Sequence, residues 1–312
     1  MLNIPETPLA QPRILQLHQA WLRREPGGVR LDLSKKTLSE QKWPGACLQQ
    51  AILNSTTWLE ADLSDSDLSG AELMDADFRG AALSRVDFSL ALLERTRLDS
   101  CCLVGGRMME LKGREAVFAG ASMQESRWLE AALTNCRVEQ ANLEKSTWNQ
   151  ARLFGCDFTR AVLDSAVLYR ARLQLCRFYG ATLVDANFGN ATVTDCNFDR
   201  AILTRAKLQN ADASRSSFTR ANLGSVDFRD AKLMGCDFGG AFLVGARLEG
   251  AVLKTADLRG ANLKGARGCT SDQLGLARTD WSTILPSGQN GPFVRRSGAE
   301  RPAPMGTQAI SS

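Results

Sequence analysis

Large apolar residues recur at every fifth position in one frame from Leu33 to Leu263, giving 47 units without insertion or deletion. Two positions before each sits a small residue, most often Ala, as in Ala61-Asp62-Leu63-Ser64-Asp65 and Ala221-Asn222-Leu223-Gly224-Ser225. A period of five matches neither the helical repeat near 3.6 nor the strand repeat of two. An α-helix would smear the large residues around its surface, and a flat strand would send successive ones to opposite faces. A chain that turns a corner after every unit directs them all inward. Four units then make a square coil of twenty residues, and coils stack through backbone hydrogen bonds. The small residue also points inward, where only Ala, Cys, Ser, Thr or Val lets the core close at native density.

Reading the frame in steps of twenty separates four walls. One carries Phe78, Phe118, Phe158, Phe178, Phe198, Phe218 and Phe238, with Leu98 and Val138 between them, so rings one coil apart are expected to stack. A second is almost wholly Leu, from Leu63 to Leu243. A third mixes Phe88, Met108, Trp128, Trp148 and Phe188, and its paired Trp residues are expected to widen the core. This aromatic content reads as packing rather than a cofactor path, because it occupies inward positions. Cys136, Cys156, Cys176, Cys196 and Cys236 share the small inward position, with Ser216 filling the gap. They read as a column of reduced, packed thiols rather than as disulfides or metal ligands. Cys47 and Cys102 fall on outward positions and are the candidate reactive thiols.

The unit A-[DN]-[LF]-x-x resembles that of the pentapeptide-repeat family over roughly residues 31–267. The resemblance implies an all-β fold, a right-handed quadrilateral parallel β-helix. At a coil spacing of about 4.8 Å, about twelve coils make a rod of roughly 55 Å. The frame weakens between Gly105 and Gly113, where Gly113 takes a large-residue position; the coil there is expected to be bulged, looped out or simply degenerate. Both open ends of such a rod need covering. Residues 1–30 form an N-terminal segment whose stretch 11–24 reads as an amphipathic capping helix with His18, Trp21 and Leu22 on its inner face. Its His-x-x-Trp-Leu motif resembles the lead-in of bacterial members associated with secretion systems. Residues 268–286 form a C-terminal cap, with Thr270 and Gln273 in capping-box spacing at a short helix. Residues 287–312 read as a mobile basic tail.

The net charge of +4 over 312 residues is too small to argue for nucleic acid. The N-terminus lacks the features of a signal peptide and no stretch has the apolar length of a membrane span, so the cytoplasm is the expected compartment. No phosphate-binding loop, zinc-type Cys pair or nucleophile elbow occurs, and the single histidine is His18. The chain is therefore expected to be no enzyme and to need no cofactor or metal.

Charge is unevenly spread. From Glu60 to Ala91 eight acidic residues face only Arg79 and Arg85. Asp62, Asp65, Asp67, Glu72, Asp75, Asp77 and Asp87, with Arg107 and Arg127 continuing the Asp67 column, form a candidate docking strip for a partner protein. The reading that follows is a non-catalytic interaction scaffold or adaptor, accessory by resemblance to a bacterial secretion system such as type VI effector loading. Two alternatives are a DNA-mimicking topoisomerase binder, which the short acidic stretch argues against, and a secreted effector. A homodimer through one end of the solenoid is a further option.

Overall fold

A computed structural model describes residues 10–302. The chain forms a four-sided parallel β-solenoid. Backbone bridges join residue i to residue i+20 on each of four walls, as in Asp32↔Ile52, Thr37↔Thr57, Lys42↔Asp62 and Cys47↔Asp67, and they continue to Arg247↔Arg267. On one wall the pairing is regular enough to make six three-residue strands: β1 (Leu92–Glu94), β2 (Lys112–Arg114), β3 (Ala132–Thr134), β4 (Arg152–Phe154), β5 (Arg172–Gln174) and β6 (Thr192–Thr194). These form one parallel sheet in the order β1 to β6.

Backbone accounting explains the five-residue unit. In the unit around Leu63, the Leu63 N–H donates to Ala82 O and the Asp65 N–H to Ser84 O, both on the next coil. The Asp62 N–H reaches back to Gln41 O, and the Ser66 N–H closes a turn onto Leu63 O. The fifth amide, that of Ser64, has no carbonyl and is taken by Asp62 Oδ1 at 3.0 Å. The same bond recurs at Asp67, Asn142, Asp157, Asn187, Asn222, Asp237 and Asn262. Asp or Asn is favoured there because a short side-chain acceptor satisfies the one donor that stacking leaves over. The last residue of each unit turns the corner with left-handed φ, even where it is not glycine, as at Asp65 (60°) and Arg205 (59°). This conformation is unfavourable for L-residues. It persists because it aims the corner amide at the next coil.

The interior is filled throughout. Phe78, Phe118, Phe158, Phe178, Phe198, Phe218 and Phe238 are fully buried. Rings stack at 4.8 Å between Phe158 and Phe178 and again between Phe178 and Phe198, lengthening to 5.2 Å between Phe218 and Phe238. Residues ten apart lie on opposite walls and meet edge-on across the core, as Phe78–Phe88 and Phe218–Phe228 do. Trp128 and Trp148 stack at 4.3 Å. Each indole donates to a hydroxyl in its own unit's small position, Ser126 at 2.8 Å and Ser146 at 2.9 Å, and Trp58 does the same to Thr56. A buried Trp is accommodated where a Ser or Thr two residues earlier takes its N–H.

The Gly105–Gly113 coil is neither bulged nor looped out. Cys102, Arg107 and Lys112 all keep their bridges to the coil above. The two inward positions of its last unit have exchanged sizes: Leu111 stands where Ala belongs, Gly113 where Leu belongs, and Leu111 is fully buried. Leu133 from the next coil leans into the remaining space, so that a Cβ on Gly113 would lie 2.6 Å from Leu133 Cδ2. At Gly106 the Met108 side chain fills the space in the same way, with its Cε 2.9 Å from where a Cβ would stand.

Both ends are covered. Helix α1 (Ala10–Leu22) lies over the first coil through Ile14 and Leu15. Helix α2 (Ser271–Gly275) follows a complete Thr270–Gln273 capping box, and its Leu274 is buried. Gln273 Nε2 also donates to Leu248 O and Ala251 O, both at 2.8 Å, tying the cap to the last coils. Beyond residue 267 the register slips, with Asp257 paired to Arg278 and Asn262 to Ile284. The segment after residue 286 does not behave as a mobile tail over its described part. Leu285 N–H bonds Gln289 O, Ser287 N–H bonds Ala299 O, Ile284 pairs antiparallel with Asn290, and Phe293 packs on the core. The absence of the five-residue period there reflects a folded plug with its own contacts. Residues 303–312 of that segment lie outside the described residues.

The size exchange at Gly113 is testable by a double-mutant cycle. Gly113→Ala should destabilise by about 1–3 kcal/mol through overpacking. Trimming the opposing residue in Gly113→Ala/Leu133→Val should recover part of that loss, a coupling of about 1 kcal/mol measured by denaturant unfolding. Strict additivity of the two changes would show that Leu133 does not occupy the space.

Candidate functional site

Most of the charge on the acidic coils is used within the chain. Asp67, Asp87, Arg107 and Arg127 do stand in one column, each bridged to the next. Asp62, Asp67, Asp77 and Asp87 each accept the leftover amide of their unit. Asp87 also pairs with Arg107 at 2.7 Å, and Asp67 accepts from Gln49 Nε2. Asp65 and Asp75 sit at corners and receive two-pronged hydrogen bonds from Arg85 and Arg95, one coil on. Glu72 pairs with Arg30 at 2.8 Å. Of the nine strip residues, Arg127 alone has no intramolecular salt bridge or side-chain hydrogen bond among the described residues.

At Asp62, Asp65, Asp75 and Asp77 these bonds hold the carboxyl below its ordinary range. Asp62 is lowered chiefly by the Ser64 amide, and Asp65 and Asp75 by the Arg85 and Arg95 guanidiniums. For Asp77, burial works upward but the side-chain and backbone bonds from Arg79 outweigh it. The same acid-below, Arg-above ladder recurs at Asp157–Arg177, Asp185–Arg205 and Asp195–Arg215. It is readable in the sequence as Asp at i and Arg at i+20, a spacing that composition by segment conceals. Exposed pairs of this kind add little stability. Their larger effect is to flatten the surface field that a docking strip would need.

The thiols of the small-position column are buried. Their S–H groups point at carbonyls of the coil below: Cys156 at Leu133 O, Cys176 at Leu153 O and Cys236 at Ala213 O, the last at 3.0 Å. Ser216 shows the same geometry in its stronger form, donating to Val193 O at 2.5 Å while accepting the Cys196 N–H at 2.9 Å. The corners after β1 to β5 are bends rather than hydrogen-bonded turns. At Leu133 and Leu153 the thiols of Cys156 and Cys176 therefore cap carbonyls that the corner leaves open, whereas Ala213 O takes the Cys236 thiol in addition to the Ser216 N–H. Burial pushes the Cys236 and Cys101 thiols up to about 12. For Cys136 the bond with Cys156, and then burial, raise the thiol. For Cys156 and Cys176 the contact from the coil below acts downward, but the contact above and burial carry both to about 12. Cys47 and Cys102 are half-buried, and Cys102 Sγ lies 3.1 Å from Ser84 Oγ. Among the described residues no group of three or more His, Cys, Asp or Glu converges as metal ligands would.

His18 is fully buried at the N-terminal end. Its Nδ1 accepts the Leu31 N–H at 3.0 Å and its Nε2 donates to Gln49 O at 2.9 Å. The two bonds define a neutral tautomer that clips the lead-in to the first coils, and burial lowers the imidazole pKa. Trp21 stacks on His18 and carries Arg30 over its ring, while Leu22 is half-buried at the end of α1.

The family profile for pentapeptide repeats matches eight copies, over residues 45–80, 71–108, 149–183, 181–220, 196–233 and 231–267. The chain belongs to the pentapeptide-repeat family. Residues 109–148 of this pentapeptide-repeat protein, which include Gly113 and the Trp128–Trp148 stack, lie outside the matched segments. No curated protein matches it. Among solved structures it is similar to HetL of the cyanobacterium Nostoc, a pentapeptide-repeat protein involved in heterocyst differentiation regulation. That likeness has 25% identity and a TM-score of 0.34, covering 86% of this chain and 98% of the other. It is also similar to QnrB1, a plasmid-mediated fluoroquinolone resistance protein, at 16% identity and a TM-score of 0.24 over 61% of this chain and 91% of the other. A pentapeptide-repeat protein of the Arabidopsis thaliana thylakoid lumen shares 25% identity at a TM-score of 0.18, over 38% and 71% of the two chains. No described helix of the pentapeptide-repeat protein is long and apolar enough to cross a membrane.

Two measurements test these assignments. In the native protein a maleimide should label Cys47 and Cys102, and Cys136, Cys156, Cys176 and Cys236 should react only in denaturant; native labelling of the column would contradict its role. For His18 the folded pKa lies below the unfolded value, so stability is complete above about 6.5 and falls as pH drops through the window beneath it. Melting temperature should therefore decline from about pH 7.5 to about pH 5.5 more in the wild type than in His18→Gln. Parallel declines would remove His18 from the clip.

Proposed function

We propose that this protein is a non-catalytic scaffold that binds a partner protein along its outer walls. The observation that carries the reading is the filled interior. From Leu33 to Leu263 the inward positions are committed to packing, and the perturbed titratable groups owe their shifts to burial in that packing or to structural bonds within the unit or to neighbouring coils. What remains free to vary is the outward-facing side chains, arranged in straight columns with the spacing of a parallel sheet. Such a surface offers many weak, orderly contacts rather than an enclosed cleft.

A finer version makes the protein an adaptor for a bacterial secretion system, as in type VI effector loading, acting in the cytoplasm. Its support is the resemblance of the His18-x-x-Trp21-Leu22 lead-in. A DNA mimic has less in its favour, because the acidic coils spend their carboxylates on the backbone and on Arg85, Arg95 and Arg107, and the whole chain carries +4. An end-to-end homodimer would have to displace or use the caps built by α1, α2 and the plug after residue 286.

Placing a photo-crosslinking amino acid at Val104, Leu129, Thr134 and Arg137, one on each wall, tests the scaffold reading in the producing cell. A discrete protein adduct from at least one wall is the expected result, with Leu129 reporting on the Asp67-to-Arg127 column. Absence of any adduct from all four positions would count against a scaffold.

A further inference from the structure

The wall made by β1 to β6 differs in chemistry from the acidic coils. Lys112, Arg152 and Arg172 occupy the same outward position on β2, β4 and β5, with Ala132 between the first two. None of the three forms a salt bridge among the described residues, where Arg114 beside them pairs with Glu115. Arg152 and Arg172 are direct register partners. Like charges so placed destabilise a sheet. Among the described residues no carboxylate pairs with either, the wall's Glu72 and Glu94 being bonded to Arg30 and Arg95, whereas Arg177, Arg205 and Arg215 each face an Asp one coil below.

Large apolar side chains stand among these cations. Met74 and Leu92 are 42% and 46% exposed before Lys112, and Phe154 and Leu175 are 43% and 54% exposed beside Arg152 and Arg172. Between the two groups the wall is hollowed. A groove of about 400 Å³ is lined by Met74, Leu92, Lys112 and Ala132, and also by Glu72 and Glu94, whose carboxylates are paired with Arg30 and Arg95. On the outer face it follows from Ala132, which projects only a methyl group between the longer side chains of Lys112 and Arg152. Of these residues, Lys112 and Ala132 fall between the matched segments 71–108 and 149–183.

We infer that this wall is the docking site of an acidic amphipathic helix from a partner protein, laid along the solenoid axis. The inference rests on the scaffold reading and names the partner chemistry. Three unpaired cations call for carboxylates, and exposed apolar groups beside them call for apolar anchors on the same face. From Lys112 to Arg152 is two coils, about 9.6 Å, and from Arg152 to Arg172 one coil, about 4.8 Å. A helix rising about 1.5 Å per residue presents carboxylates at i, i+7 and i+10 at about 10.5 Å and a further 4.5 Å, all on one face. An apolar residue one turn before the first carboxylate then falls on the groove beside Leu92. A nucleic acid backbone would match the charge but not the apolar side chains between the cations.

The test is selection of helical peptides displayed on phage against the full chain, with Arg152→Glu/Arg172→Glu as counter-target and Arg152→Gln/Arg172→Gln as the milder variant. Enriched peptides should carry carboxylates at the i, i+7, i+10 spacing with an apolar residue on the same face. Binding should weaken at least tenfold in the Glu variant, less in the Gln variant, and with rising salt. Circular dichroism and melting of both variants serve as the folding control. Enriched peptides that bind the Glu variant equally, the absence of enrichment, or tighter binding of a 20-base-pair duplex than of any selected peptide would each overturn the inference. The scaffold reading fails separately: adducts from Val104, Leu129 or Arg137 but not from Thr134 would retain the scaffold and reject this wall.

Discussion

The structure depends on a fixed cross-section. Four backbone amides in every five are committed to the coil above, the coil below or the corner turn, so the walls stand at a distance that side chains cannot change. Each unit must then fill the same interior with one large and one small residue. A departure at one position has to be met at another. Leu111 and Leu133 answer Gly113, Ser126 and Ser146 answer the indoles of Trp128 and Trp148, and Ser216 replaces a thiol without breaking its column. Interiors packed to native density tolerate such exchanges of volume better than voids.

The fifth amide gives the second half of the unit its chemistry. Because it has no backbone partner, Asp and Asn are drawn to the position before the large residue, and the acidic look of those coils follows in part from that structural need. This is why the coils from Glu60 to Ala91 read as a docking strip in the sequence and as a bonded lattice in the structure. Asp62, Asp67, Asp77 and Asp87 face backbone donors, while Asp65 and Asp75 face arginines one coil away. The surface with free cations and uncovered apolar groups is a different one, on β1 to β5, where Leu92, Lys112, Arg152, Phe154 and Arg172 stand.

Much of the fold was legible in the chain. The period of five fixed which residues face inward, steps of twenty placed the Phe, Leu and Cys columns, and Thr270 with Gln273 marked the second cap. Gly113 on its own signals a broken coil; its partner in volume, Leu111, sits two residues earlier in the slot reserved for Ala. The Asp–Arg ladders were also present at i and i+20 but invisible to counts of charge by segment. The plug after residue 286 left no periodic signal, since its contacts, such as Ser287 to Ala299, belong to no repeat. A docking wall is harder still to read, because it consists of cations that lack partners, and pairing is known only once the coils are stacked.

Hydrogen exchange along the backbone tests the central claim most directly, since the fixed cross-section rests on unbroken coil-to-coil bonding. The amides of Gly105, Arg107, Met108, Glu110 and Lys112 each donate to an adjacent coil and should exchange as slowly as their counterparts at Glu125, Arg127, Trp128, Glu130 and Ala132. Rapid exchange confined to Gly105–Gly113 would mean that the coil opens where its large residue is missing. The exchange of sizes between Leu111 and Gly113 would then not hold the walls together.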